Sequence, residues 1–150
     1  MKPRILLIGA LLTCGAPTWA SAQAIAPTQK EADSAVRAVV QRYLHGLKFN
    51  DTASLREAFW PEARLFFINR EGKLGELTQA KWYAMFAGSI GKEEKGDLRI
   101  TSVESTNDAA SVKVVEDYPG SRYTDYLNLL RIDGRWWIVN KIYTVERRRN

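Results

Sequence analysis

The chain has 150 residues, of which 45% are hydrophobic and 11% aromatic, with 22 Lys and Arg against 17 Asp and Glu. This composition describes one ordinary globular domain and excludes a disordered tail protein, a collagen-like chain and a disulfide-stapled miniprotein. One His and one Cys supply no usual metal-ligand set, and neither a glycine-rich phosphate loop nor a nucleophile motif is present, so no particular reaction is indicated.

Residues 1–22 have the layout of a secretory signal peptide. Lys2 and Arg4 form a basic start, residues 5–12 form a short apolar run, and Ala20-Ser21-Ala22 supplies an A-x-A cleavage signal. The apolar run is too short to cross a bilayer, so membrane insertion is not expected. We predict a periplasmic or secreted protein.

Cleavage after Ala22 leaves a predicted single domain over residues 23–146 and a basic tail over 147–150. It also removes Cys14, so the mature protein is expected to rely on its core rather than on disulfides. The two leader cations and the three tail arginines account for the whole net charge of +5, which leaves the domain neutral. A nucleic-acid partner is therefore not expected, because such proteins carry a basic face along the body of the domain.

Two helices are predicted at the start of the domain. The capping-box pattern Thr28-x-x-Glu31 opens the first helix, and apolar residues recur at 3–4 spacing from Val36 to Leu47. Asp51 can cap a short second helix, which extends through Phe59 until Pro61 stops it.

A third helix is predicted to begin after Thr78, a good N-cap residue, and to end at Gly88. Trp82 and Phe86 lie on one side of this helix, as expected for residues that pack on a sheet. Residues 88–97 contain several glycines among charges, which is typical of a mobile loop.

The remaining β-branched and aromatic runs are predicted to form strands over 63–68, 74–77, 98–105, 110–117, 122–132 and 135–144. Glu116 and Asp117 precede a Pro-Gly turn and are expected to form a solvated strand end. Asp133-Gly134 is a good two-residue hairpin turn, which places Ile132 opposite Arg135.

This hairpin numbering divides the last two strands between two largely apolar faces. The inner face is predicted to carry Asp125, Leu127, Leu129, Trp136, Ile138, Asn140 and Ile142. The outer face is predicted to carry Tyr126, Asn128, Leu130, Trp137, Val139, Lys141 and Tyr143. Helices followed by a long antiparallel meander indicate an α+β fold.

Four motifs carry a resemblance to a known family: Tyr43-Leu44-x-Gly46, Asp51-x-x-x-Leu55-x-x-x-Phe59-x-Pro61, Asp125-Tyr126-Leu127 and Trp136-x-Ile138-Val139-Asn140-Lys141. They resemble the putative lumazine-binding family of the nuclear transport factor 2-like superfamily, which includes ketosteroid isomerase. The resemblance implies a cone, in which three N-terminal helices pack on a strongly curved mixed or antiparallel sheet. It also implies a pocket at the open end and a homodimer formed through the outer sheet face. It implies no single activity, because this fold hosts enzymes and binding modules alike.

One departure from the family pattern argues against a catalytic histidine. Where members of the family tend to have His after the Phe of the second helix, this chain has Trp60. The remaining histidine, His45, is expected to lie at the end of the first helix, where it can interact with the terminal carbonyl groups.

Asp125 is the most interesting acidic residue, because it shares the predicted inner face with apolar side chains. It could serve as an acid or base with a pKa raised by burial, or form a hydrogen-bond pair with Asn140 or a tyrosine. Lys141 is placed on the outer, dimer side. A one-residue slip in register would exchange Lys141 and Asn140 between the two faces.

Five aromatic residues from the helical segments are expected to converge over the sheet, either as core or as the lining of a pocket: Tyr43, Phe59, Trp60, Tyr83 and Phe86. Two function classes follow. The favoured one is an exported module that binds either a small apolar organic ligand, with Asp125 and Asn140 as its polar contacts, or only a partner subunit. The alternative is a dehydratase or isomerase with Asp125 as base and Tyr43 or Tyr83 as proton donor. Neither requires a metal or another cofactor.

Overall fold

The computed structural model describes residues 28–148, which form three helices and six strands. The helices are α1 (Gln29–Lys48), α2 (Thr52–Ala58) and α3 (Gln79–Ala84). The strands are β1 (Phe59–Ile68), β2 (Leu74–Thr78), β3 (Asp97–Thr106), β4 (Ala109–Tyr118), β5 (Ser121–Ile132) and β6 (Arg135–Arg147). The predicted signal peptide and its cleavage site lie outside the described residues. Among the described helices, none is long and apolar enough to span a membrane.

All three predicted helix caps are confirmed. The hydroxyl of Thr28 accepts from the backbone N–H of Glu31 (3.3 Å), whose carboxylate accepts from the Thr28 N–H (2.8 Å), as a capping box requires. Asp51 accepts from two backbone N–H groups at the start of α2, and Thr78 accepts from one at the start of α3. Local sequence therefore sets where each helix begins. The predicted end of the third helix is wrong, because α3 ends at Ala84 and turns follow it up to Gly88.

The strands form one mixed sheet in the order β2-β1-β6-β5-β4-β3, in which β1 and β6 are parallel and the other neighbours antiparallel. This curved sheet covers the apolar side of α1, where Val36 and Val40 are fully buried. Val112 and Val114 of β4 are equally buried in the same core. The predicted α+β architecture is confirmed, with the core between the helices and the inner sheet face.

The predicted boundary between α2 and β1 is wrong. Phe59 is the first residue of β1 rather than part of α2, so the strand begins directly where the helix ends. Pro61 therefore lies within β1, where the parallel pairing with β6 is interrupted between Phe59 and Arg64. Proline has no N–H to donate, and an interrupted ladder tolerates it.

The predicted basic tail over residues 147–150 overlaps the last strand, although the side chains of Arg147 and Arg148 are exposed. Arg147 is the last residue of β6 and pairs with Ser121. The backbone N–H of Arg148 donates to the carbonyl of Gly120 (3.1 Å), and its guanidinium contacts the Asp117 carboxylate. Strand pairing and this ion pair hold both arginines against the sheet end.

The register of the β5–β6 hairpin changes halfway along its length. The predicted pairing is confirmed from Ile132–Arg135 to Leu129–Ile138, but Asn128 then faces Asn140, which leaves Val139 as an extra residue. Such a bulge exchanges the faces of all residues beyond it.

The faces predicted for the far half of β6 are therefore wrong, and the alternative of a one-residue slip, which exchanges Lys141 and Asn140, is the arrangement observed. Lys141 and Tyr143 turn to the inner side, whereas Asn140 and Ile142 turn outward. Asn140 accepts a hydrogen bond from the amide of Asn128 on the outer side (2.8 Å).

The junction of α1 and α2 depends on a missing side chain. A Cβ added at Gly46 would lie 2.5 Å from Leu55 Cδ2 and 3.1 Å from the carbonyl oxygen of Asp51. Leu55 is fully buried and cannot swing into solvent. This close approach explains why the Tyr-Leu-x-Gly motif is followed by the Asp-x-x-x-Leu motif.

We therefore expect Gly46→Ala to reduce the free energy of unfolding by about 1–3 kcal/mol, because overpacking outweighs the better helix propensity of alanine. Chemical denaturation measures this change. Gly88→Ala is the matched control, because a Cβ there meets nothing within 4 Å. Equal stability of the two variants would contradict the packing argument.

Candidate functional site

Four polar side chains from four elements meet inside the core and are called here the buried tetrad: Tyr43, Glu116, Asp125 and Lys141. Lys141 Nζ donates to Asp125 Oδ2 (2.6 Å) and to the Tyr43 hydroxyl (2.7 Å). Tyr43 Oη also contacts Asp125 Oδ2 and lies 3.0 Å from Glu116 Oε1. Asp125 is 0%, Glu116 3% and Lys141 4% exposed. These are ionisable groups in a nearly water-free setting.

The bulge in β6 brings the tetrad together. Before the bulge, the inner face of the hairpin carries Leu129 and Ile138, and after it Leu127 faces Lys141. The extra residue thus delivers the Lys141 ammonium to Asp125, which lies two residues before Leu127 on β5. Without it, the lysine would stand on the outer face.

The hydrogen bonds within the tetrad are satisfied best when one carboxyl group carries a proton. Tyr43 has a single hydroxyl hydrogen, yet carboxyl oxygens of both Asp125 and Glu116 lie within hydrogen-bonding distance of its oxygen. If this hydrogen binds Asp125, which also faces Lys141, Glu116 must carry its own proton. The Glu116 carboxyl group can then donate to the Tyr43 oxygen.

The pKa shifts of the tetrad residues agree with a proton on Glu116. Burial, followed by the charge of Asp125, raises the pKa of Glu116 to about 8, although Lys141 partly offsets the rise. Burial also raises the pKa of Tyr43 well above its ordinary value, so the phenol stays neutral. For Lys141, burial favours the neutral amine, but the charges of Asp125 and Glu116 prevail and raise its pKa.

A cavity of about 560 Å³ opens beside the tetrad, and Glu116 and Lys141 form part of its wall. Tyr43 and Asp125 lie behind these two residues, away from the cavity. The cavity's aromatic walls come from α3, the segment after it, β4, β5 and β6: Trp82, Phe86, Tyr118, Tyr123 and Tyr143. The combination of aromatic walls and a small buried polar group is the usual character of a small-molecule site.

Residues 85–96 form the roof of the cavity, and hydrogen bonds hold this segment in place. Lys48 Nζ donates to the carbonyl groups of Glu94 (2.6 Å) and Gly96 (3.1 Å). Asn50 Nδ2 donates to the Lys92 carbonyl (2.7 Å), and the N–H of Glu94 donates back to the Lys48 carbonyl (2.7 Å). The segment predicted as a mobile loop is therefore anchored to the end of α1.

Four of the seven predicted ligand-binding residues line the cavity or lie close behind it. Phe86 lines the cavity. Tyr43 and Asp125 belong to the tetrad behind it, and Phe59 is core, with its ring edge-to-face on Tyr43 at 5.6 Å. Direct ligand contact by these residues stays a prediction.

The other three predicted residues lie away from the cavity. The Tyr83 hydroxyl donates to the Gln79 side chain (2.5 Å). Trp60 packs edge-to-face on Trp137, which belongs to the outer face. Asn140 is excluded from the predicted pair with Asp125, because the bulge turns it outward.

Sequence reasoning did not assign Glu116 and Lys141 to the site. Glu116 was expected in a solvated strand end, but it continues the inward alternation of Val112 and Val114, a period-two signal that identifies an inner-face position. Lys141 had no such signal, because an unpredicted bulge decides its face.

The histidine and the α2 cap take no part in the site. His45 Nε2 lies 3.8 Å from Asp51 Oδ2 at the exposed end of α1, consistent with the predicted helix-end role. Asp51 acts as the predicted N-cap. Among residues 28–148, no cluster of His, Cys, Asp and Glu could hold a metal ion.

Helices packed on a curved mixed sheet, with a cavity between them, define the nuclear transport factor 2-like class of fold. Residues 31–144 match the family described as putative lumazine-binding, and the chain belongs to that family. It is also 26% identical over 117 residues to the aldolase FrzH of Cladobotryum sp., a match that covers 77% of this chain and 92% of that protein.

Two solved structures have the same fold, and both are described as nuclear transport factor 2-like proteins of unknown function. The protein from Shewanella baltica OS155 is 26% identical with a TM-score of 0.73, covering 80% of this chain and 98% of its own. The protein from Silicibacter pomeroyi DSS-3 is 28% identical with a TM-score of 0.71, covering 80% of this chain and 100% of its own.

The raised pKa of Glu116 predicts how stability depends on pH. Between the ordinary value of 4.5 and about 8, the folded protein keeps a proton that the unfolded chain has released. The free energy of unfolding contributed by this group therefore falls as pH rises through that window. Glu116→Gln mimics the protonated form, so its stability relative to the original protein should grow between about pH 5 and about pH 8.

Denaturation at both pH values measures this difference. Glu104→Gln, at an exposed position of β3, is the matched control and should show no such growth. A Glu116→Gln variant that parallels the original protein at both pH values would mean that Glu116 is ionised throughout.

Proposed function

We propose that this protein, after export and removal of residues 1–22, binds a small and mostly apolar organic molecule in the cavity beside the tetrad. The observation that carries this proposal is the cavity itself, of about 560 Å³, with aromatic walls and with Glu116 and Lys141 among its polar groups. That volume suits a molecule of a few fused rings. Membership of the family supports ligand binding but names no ligand for this chain.

The free-energy cost of burying the tetrad gives further support to a binding role. Burying charged groups costs several kcal/mol per ion, and a buried ion pair is often no more stabilising than apolar residues of the same volume. Leucine or phenylalanine side chains at these positions could fill the same space in the core. Two of the four groups instead reach a cavity wall, where a ligand can use them.

Phe86→Ala removes an apolar wall of the cavity and should weaken the binding of a neutral apolar probe about tenfold, the equivalent of ~1.4 kcal/mol. Energy transfer from tryptophan to N-phenylnaphthylamine measures the affinity. Ile90→Ala is the control, because Ile90 belongs to the same roof segment but is 62% exposed. Equal weakening by both variants, or absence of probe binding to the original protein, would contradict the proposal.

Catalysis of carbon–carbon bond formation or of proton transfer is a second candidate function. It is favoured by the similarity to a protein named an aldolase and by a carboxyl group on the cavity wall that titrates near neutral pH. Aldol chemistry removes a proton from the carbon next to a carbonyl group. Glu116 reaches the cavity and replaces Asp125 as the candidate base, since Asp125 lies behind it.

The enzymatic candidate predicts that the protein accelerates deuterium uptake at the α-carbon of α-tetralone in D₂O. The Glu116 carboxylate would take the C–H proton and leave an enolate, and the resulting carboxyl group would exchange this proton for deuterium from D₂O. It would then deliver the deuterium to the same carbon, which restores the ketone and the carboxylate. The rate should rise with pH and level off above about 8, where Glu116 is ionised. NMR follows the exchange. Glu116→Gln should abolish the acceleration and Glu104→Gln should keep it; any other pattern rejects Glu116 as the base.

We further propose that the protein forms a homodimer through the outer sheet face. Tyr126 and Leu130 are each 42% exposed and Ile142 is 48% exposed, next to the half-buried Trp137 and Val139. These residues make an apolar surface across β5 and β6, which the hydrogen-bonded Asn128–Asn140 pair interrupts. Surfaces of this kind on a sheet commonly bury against a second copy.

Sedimentation equilibrium at micromolar concentration should accordingly give about twice the mass of the processed chain. Leu130→Lys places a charge in the centre of the proposed interface and should shift the protein to monomer. Ile90→Lys, at an exposed position outside β5 and β6, should leave the dimer intact. A monomeric original protein would rule out this interface.

A further inference from the structure

We infer that the cavity selects neutral ligands that present a carbonyl oxygen to the ammonium group of Lys141. This inference rests on the proposed binding function and adds the chemical class of the ligand. It follows from three features of the site: the unused donor of Lys141, the charges around it, and the aromatic side chains that flank it.

Lys141 has one hydrogen-bond donor left for a ligand. Its ammonium group carries three N–H bonds, and in residues 28–148 the acceptors within hydrogen-bonding distance are Asp125 Oδ2 and the Tyr43 hydroxyl. Because Lys141 forms part of the cavity wall, the third N–H is available there. An acceptor oxygen on the ligand would satisfy it, whereas a hydrocarbon would leave it unpaired at a cost.

Charge balance selects a neutral acceptor over an anion. The charge of Lys141 is already matched by Asp125, and Glu116 adds no charge when it is the carboxyl group that holds the proton. Glu93 and Glu94 add carboxylates to the roof, accompanied by Lys95. A carboxylate ligand would therefore bring an unmatched negative charge into the cavity, and an ammonium ligand would face Lys141 directly.

The surroundings of Lys141 favour a flat body attached to that carbonyl group. Lys141 Nζ lies 4.9 Å from the centre of the Tyr143 ring and 5.5 Å from that of Trp82, both of which line the cavity. A ligand ring between these walls can stack while its oxygen reaches the ammonium. The Tyr118 hydroxyl, 3.3 Å from Glu116 Oε2, provides a second polar contact nearby.

The test compares three probes of one shape: α-tetralone, which carries the carbonyl, tetralin, which lacks it, and aminotetralin, which is cationic. Ligand-observed NMR titration of the full-length processed protein gives the three affinities. We expect α-tetralone to bind at least about tenfold more tightly than tetralin, as a hydrogen bond to a charged donor implies. Aminotetralin should bind most weakly.

Lys141→Met keeps the length of the side chain and removes the donor, so the preference for α-tetralone over tetralin should fall to about one. Lys113→Met is the matched control, because Lys113 lies over the Tyr126 ring on the outer face, and it should keep the preference. The infrared stretch of the bound carbonyl gives an independent reading in the original protein. It should shift to lower frequency than in an apolar solvent, even if Lys141→Met does not fold.

The outcomes separate the ligand class from the binding function. Equal binding of α-tetralone and tetralin, or an unshifted carbonyl stretch, overturns the selection of carbonyl ligands while the cavity remains a binding site. Tighter binding of aminotetralin than of α-tetralone overturns it as well. Failure of all three probes and of N-phenylnaphthylamine to bind overturns the proposed function itself.

Discussion

The ion pair between Lys141 and Asp125 connects the parts of this molecule that matter for its site. It joins β6 to β5, and through the Tyr43 hydroxyl it ties both strands to α1. Removing one partner from such a pair leaves a buried charge without compensation, which in other proteins costs about 3–5 kcal/mol. The tetrad therefore behaves as one unit, and the protonation state of Glu116 follows from the charges and hydrogen bonds that the other three members impose.

Two members of the tetrad are buried behind the cavity, and two form part of its wall. Asp125 and Tyr43 are closed off behind the cavity, where they hold the lysine and keep it charged. Glu116 and Lys141 stand in front and reach the cavity wall. A hydrogen-bond donor fixed in this way needs no rearrangement when a ligand oxygen arrives, which is how preorganised sites gain affinity and, in enzymes, rate.

The roof of the cavity is a second constraint with a local cause. Asn50 adopts a left-handed backbone conformation (φ 50°) between α1 and α2, which points its side-chain amide toward the roof segment. Asparagine is among the few residues that tolerate this conformation. The same junction contains Gly46, whose lack of a side chain lets α2 pack closely. One short stretch of sequence thus sets both the helix packing and the closure of the cavity.

The sequence by itself determined where the helices begin, which segments form strands, and the fold class. Thr28, Asp51 and Thr78 mark helix starts because capping uses the backbone of the next few residues, and Asp133-Gly134 sets the hairpin turn for the same local reason. The cone was implied by the resemblance that the family motifs carry, and two residues of those motifs, Gly46 and Leu55, pack against each other in the structure. These features depend on residues close in sequence or on patterns that repeat along it.

Only the tertiary structure decided which side chains form the site. The bulge at Val139 is one extra residue in a ladder, and the alternating apolar pattern of β6 is compatible with pairing on either side of it. That single residue moves Lys141 inward and Asn140 outward. Glu116 became part of the site for a related reason: a carboxyl group near a strand end looks solvated in sequence, and only the convergence of α1, β5 and β6 over it excludes water. The alternation of β4 indicates an inner-face position for Glu116, but its charge environment, and the burial of Lys141, arise from residues distant in the chain that no local pattern specifies.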